Sequence, residues 1–139
     1  AASDVYKRQA KACPLFVPLV ENGRYRPGDT VIETVAREYL EPLRQTGIDT
    51  LILGCTHYPL LMDVIGSVMG PAVTLINASE EAAWDLKRAL RDAGLLSPGP
   101  GGDATLYASD QPSDFRTVAQ QFLREELHKP VLPVDIDRY

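Results

Sequence analysis

Cysteine is scarce in this sequence: Cys13 and Cys55 are the only two among 139 residues. Two thiols make no disulfide framework, and they fall short of the four ligands a structural zinc site draws on. Such usage predicts a reducing, cytoplasmic setting and no metal. Positive charge is also short, with 14 Lys and Arg against 19 Asp and Glu and a net charge of −5. That balance argues against nucleic acid or an anionic membrane surface as partner. No apolar run approaches the roughly 20 residues of a membrane-spanning helix, and no signal-peptide core follows the first residues. Internal repeats are missing. What remains is 45% hydrophobic and 24% charged, ordinary for a globular chain with one compact core.

The stretch 51–61, LILGCTHYPLL, organises the rest. It begins as a short apolar run that reads as a buried strand. It then stops at Gly54 and presents Cys55, Thr56 and His57 in succession before Pro59 reopens a regular element. Ligands of α/β folds bind at the carboxyl ends of strands, so these three residues form a candidate reaction centre. The plainer alternative is a buried structural cysteine beside a solvated histidine.

Residues 1–9 show no periodicity and read as a non-native scar or a frayed terminus. Residues 12–20, ACPLFVPLV, are apolar and β-prone, but Pro14 and Pro18 remove ladder donors. The segment therefore predicts a short strand or an extended loop, with Glu21 at its carboxyl end before an Asn22-Gly23 turn. Thr30 is placed to cap a helix from Val31, with Glu33 as capping-box partner. Val31, Val35, Tyr39 and Leu43 recur at helical spacing and predict the face packed on a sheet. Pro42 should kink or shorten that helix, and Gly47 should close it in a left-handed conformation. Residues 48–53 then predict a central strand of a parallel sheet covered on both faces.

After His57, the stripe Leu60, Leu61, Val64, Ile65 and Val68 predicts a second helix, ended by Met69-Gly70-Pro71. Residues 73–76 read as another strand. Ser79 is the expected N-cap of a helix to about residue 93, burying Trp84, Leu86 and Leu90. Residues 94–103, GLLSPGPGGD, resemble a linker. Beyond it come a weak strand over 105–108 and a helix from Ser113 or Asp114 to about 127, with Phe115, Val118, Ala119 and Phe122 inward. Residues 130–136 predict an edge strand.

Three chemistries use a Cys-Thr-His trio. Nucleophilic catalysis needs the imidazole within reach of sulfur and an oxyanion hole, and no G-x-C-x-G elbow surrounds Cys55. Metal ligation lacks ligands. Proton transfer at carbon suits a thiol, whose unperturbed pKa of about 8.5 falls near a helix N-terminus or an imidazolium.

The block Gly54-Cys55-Thr56-His57-Tyr58-Pro59-Leu60-Leu61, preceded by residues 48–53, resembles the second cysteine motif of the bacterial glutamate racemases. The block Cys13–Glu21, the helix segment Tyr39-Leu40-Glu41-Pro42-Leu43 and the step Leu75–Glu81 resemble further family blocks in the same order. His57 is informative, since the related aspartate racemases more typically carry Glu there. The resemblance implies one parallel-sheet lobe of a two-lobed α/β fold of the aspartate/glutamate racemase type, here incomplete. It implies a cofactor-free enzyme interconverting L- and D-glutamate for peptidoglycan, with glutamate as its small-molecule ligand. A homodimer of the full-length protein is compatible with it. Carried over, Cys55 is the acid/base of this lobe, His57 and Glu21 assist its proton handling, and Thr56 holds the substrate's amino-acid end. Cys13 lies in a family block but is not the family's catalytic cysteine, and reads as a buried structural thiol.

The family's first half, with its Asp-Ser loop and its own cysteine, is absent from these residues. Residues 10–78 then correspond to the latter part of the second lobe, and 79–139 to a segment returning to complete the first. A polypeptide with one such base is expected to be inactive as a racemase by itself. Two other readings stay open: a cysteine hydrolase using Cys55 and His57, and a non-catalytic small-molecule-binding module.

Overall fold

The computed structural model describes residues 8–99, 101–123 and 125–138; the expectation for residues 1–7 lies outside them. Two compact units emerge, Ala1–Asp85 and Leu86–Tyr139.

The first unit runs α1 (Phe16–Glu21), α2 (Thr30–Arg44), β1 (Thr50–Leu53), a 3₁₀ turn (Tyr58–Leu61), α3 (Met62–Met69) and β2 (Thr74–Asn77). The segment expected to be extended is helical instead. Pro18 stands in the first turn of α1, where a backbone N–H has no helical partner to lose. Phe16 and Val20, four residues apart, are both buried, so burial of one helical face outweighs the β-prone composition. Helix α2 is capped by Asp29 rather than Thr30: the Asp29 carboxylate accepts from the Val31 N–H at 3.0 Å. The Arg24 guanidinium beside it, 2.9 Å away, holds that carboxyl below its usual range. Glu33 reaches back to the Gly28 N–H at 2.8 Å. The buried face of α2 is Ile32, Ala36 and Leu40, one position on from the expected stripe. Val35, Tyr39 and Leu43 flank it, and Val31 is exposed. Pro42 neither stops nor shortens the helix, which continues to Arg44. Gly47 takes φ +73°, as expected of the residue that turns the chain away.

Strands β1 and β2 are parallel neighbours, with Leu51 beside Leu75, Ile52 beside Ile76 and Leu53 beside Asn77. Together with α3 they make the anticipated βαβ unit. Helix α2 lies principally against α3, and Leu51, Leu53 and Leu75 join their core. Alternation sends Ile52 to the opposite face, where it is 64% exposed. The sheet is therefore covered on one face only, and β1 is not central: two strands make up this sheet among the described residues. The stripe after His57 is buried largely as expected, through Leu61, Val64, Ile65 and Val68, but its first turn is 3₁₀. The α-helix begins at Met62, seven residues beyond Cys55.

Helix α4 (Ala78–Asp92) carries the boundary between the units and buries none of its residues. Trp84 and Leu86, expected to be buried, are 52% and 61% exposed. Its cap is Asn77, not Ser79: the Asn77 Oδ1 accepts from the N–H groups of Ser79 and Glu80 at 3.2 and 3.3 Å. Asn77→Ala is accordingly expected to cost about 1 kcal/mol, and Ser79→Ala nothing measurable, by paired thermal unfolding curves.

In the second unit, β3 (Tyr107–Ala108) pairs in parallel with β4 (Leu132–Pro133), and α5 spans Pro112–Leu123. Ala108 and Val131 are its buried apolar residues. Phe115, expected inward, is exposed; Val118, Ala119 and Phe122 are half-buried. Helix α5 ends short of 127. There Arg116 donates to the Leu127 carbonyl, and Leu127 donates to the Gln120 side chain at 3.3 Å.

Candidate active site

Strand β1 delivers Gly54, Cys55, Thr56 and His57 as a loop at its carboxyl end, closed by the Tyr58 N–H donating to the Cys55 carbonyl at 3.3 Å. The register puts Asn77 beside Leu53, so the end of β2 opens at the same edge. Cys55 is half-buried, as a thiol must be to meet a ligand while partly shielded from water.

Glu21 reaches this loop from α1, and not from a strand end. The helix closes in a Schellman arrangement: Arg24 N–H donates to the Leu19 carbonyl and Gly23 N–H to the Val20 carbonyl, both at 2.9 Å. Gly23, at φ +76°, permits that turn, and Glu21 becomes the last helical residue. Its Oε1 lies 3.2 Å from His57 Nε2, across 36 positions of sequence. On the other side of the ring, His57 Nδ1 lies 3.1 Å from Thr56 Oγ1.

These contacts assign the imidazole. A carboxylate only accepts, so Nε2 carries a hydrogen toward Glu21. In the neutral ring Nδ1 then accepts from the Thr56 hydroxyl; in the imidazolium it donates to the Thr56 oxygen. Glu21 of α1, His57 and Thr56 thus form one hydrogen-bonded line, and Cys55 precedes Thr56 in the loop. Three of the four residues singled out in the sequence are directly bonded, and the fourth is their neighbour in the chain.

Cys13 is elsewhere. It is 5% exposed within the core, its Sγ directed at the Lys11 carbonyl at 3.7 Å. Burial pushes its thiol pKa up, partly opposed by the charge of Lys11. With excess iodoacetamide near neutral pH, one thiol is therefore expected to react in the native chain and two in urea. Peptide mass spectrometry should place the native adduct on Cys55; labelling of Cys13 first would contradict the assignment.

Two residues at this edge escaped sequence reasoning. Tyr58 donates from its hydroxyl to the Cys13 carbonyl at 3.4 Å and packs edge-on against Phe16, centroids 5.4 Å apart. Burial, then the thiols of Cys13 and Cys55, push its phenol pKa up. An aromatic next to a loop histidine was the available signal. Asn77, two residues ahead of the expected cap Ser79, is the other: it ends β2 and caps α4. Among the described residues, no three of His, Cys, Asp and Glu gather closely enough to hold a metal ion. No described helix is long and apolar enough to cross a membrane.

The fold and the candidate site together define an α/β lobe with a Glu–His–Thr line next to a half-buried cysteine at the carboxyl edge of its parallel strands. No family model matches the chain. It is, however, 45% identical over 118 residues to the glutamate racemase of Geobacter metallireducens, covering 84% of this chain and 43% of that protein. Its fold superposes on the Thermus thermophilus glutamate racemase in complex with β-chloro-D-alanine, with TM-score 0.81 and 41% identity over 94% of this chain and 48% of that one. The Francisella tularensis glutamate racemase in complex with D-glutamate gives TM-score 0.80 at 34% identity, over 93% and 47%. The chain is thus a relative of the glutamate racemases, and it spans about half the length of the curated relatives it matches.

Proposed function

We propose that these residues supply one proton-transfer face of a cofactor-independent glutamate racemase, serving D-glutamate supply for peptidoglycan in the cytoplasm. Cys55 removes the α-proton as thiolate, the C–H electron pair stays on the α-carbon, and a second base on the opposite face returns a proton. In the reverse direction the Cys55 thiol is the donor. His57, backed by Glu21, passes the proton on, and Thr56 holds the amino-acid end of glutamate. The observation that carries the reading is the Glu21–His57–Thr56 line, drawn from two elements to the loop of Cys55. The relatives solved with D-glutamate and β-chloro-D-alanine support a small amino acid as ligand. Residues 79–139 are assigned on this reading to completing the other lobe.

A two-base reaction needs groups on both faces of one carbon, and Cys13 is held in the core. The 139-residue polypeptide alone should therefore not racemise glutamate. Incubated with L-glutamate in D2O, it is expected to leave optical rotation constant, with α-deuterium entering one enantiomer at most. A sustained fall in rotation would overturn the proposal that one base is present.

A further inference from the structure

The pairing of His57 with Glu21 joins two separate elements, yet the Glu21 side chain is 50% exposed. Ion pairs so open to water hold little on their own, so the approach of α1 to the loop must be set by something else. Tyr58 follows His57 directly. Its ring stands edge-on to Phe16 at 5.4 Å and 89°, and its hydroxyl donates to the carbonyl of Cys13, just ahead of α1. Phe16 begins the same helix that ends at Glu21, and its ring stands edge-on to Tyr39 of α2 at 5.4 Å and 72°. Tyr58, Phe16 and Tyr39 form a continuous aromatic column from the loop through α1 to α2.

We propose that Tyr58 is a positioning residue. Its ring, seated on Phe16, fixes the loop against α1 and so sets the 3.2 Å approach of His57 to Glu21. The inference rests on the reading that His57 and Glu21 work as a pair, and it names what builds that pair. The ring does the seating, and the hydroxyl bond, at 3.4 Å, is secondary.

The experiment reads the ring-nitrogen chemical shifts of the two histidines, His57 and His128, in the 139-residue chain. Glu21→Gln is introduced into the wild type and into each of Tyr58→Phe, Tyr58→Leu and Leu40→Ala. In the wild type, Glu21→Gln is expected to shift both His57 nitrogens and leave His128 unmoved. Tyr58→Phe should keep that response, Tyr58→Leu should lose it, and Leu40→Ala, a core truncation on α2, should lower stability while retaining it. If Tyr58→Leu fails to fold, Phe16→Leu reads the same seat from the other side. A full His57 response in Tyr58→Leu or Phe16→Leu would overturn the inference and leave the paired reading intact. No response in the wild type would instead sink the pair itself.

Discussion

Phe16→Ala is expected to lower the unfolding free energy of the first unit by about 3–5 kcal/mol, the range of buried aromatic truncations. Phe16 is 1% exposed and meets two tyrosine rings edge-on, each at 5.4 Å. Such pairs contribute about 0.5–1.5 kcal/mol each beyond the area they bury. Small domains have about 5–15 kcal/mol in all, so this one ring carries a large share. Urea titration followed by tyrosine fluorescence measures it. Ile52→Thr is the internal comparison, because Ile52 lies on the open sheet face and surface changes stay within about 0.5 kcal/mol. A smaller loss for Phe16→Ala than for Ile52→Thr would contradict the placement of the core on α1, α2 and α3.

The βαβ unit was legible because its signals are local. The apolar run before Gly54 and the stripe from Leu61 to Val68 have strand and helix periods that few other arrangements share. The candidate site stood out for a similar reason, since Cys55, Thr56 and His57 are consecutive in the chain. Glu21 does meet His57, but from the end of a helix and not from the expected strand end. Two prolines in nine residues suggested an interrupted strand, whereas Pro18 sits where a helix tolerates it. The decisive fact, burial of Phe16 and Val20 on one side, depends on α2 and the 3₁₀ turn at Tyr58 and cannot be seen in residues 12–20 alone.

Caps shifted by one or two residues for a related reason. Asp29 beside Thr30, and Asn77 beside Ser79, offer competing acceptors whose ranking differs little. Local geometry chose between them. The expected burial of Trp84, Leu86 and Leu90 failed differently: the first two are more than half exposed and Leu90 is only half-buried. Amphipathic spacing reports that a face can be covered, never what covers it.

The larger functional effect concerns the two thiols. They differ in exposure and in surroundings. Cys55 is half-buried at the carboxyl end of β1, next to Thr56 and His57, while Cys13 is enclosed by core side chains with its thiol pKa raised by burial. In a chain of racemase length that carries these residues, Cys55→Ser is expected to lower kcat about 10²–10⁴-fold, the usual worth of a positioned acid or base. The loss should appear with L- and with D-glutamate, because each direction uses Cys55 once. Cys13→Ala should leave kcat unchanged and cost about 1 kcal/mol of stability, the effect of deleting a small buried group.

Turnover of these two variants, measured side by side from both enantiomers, is the most direct test of the assignment. The account requires Cys55→Ser to collapse in both directions while Cys13→Ala turns over normally. Undiminished racemisation by Cys55→Ser would mean that the proton passes through some other group, and the site described above would lose its chemistry.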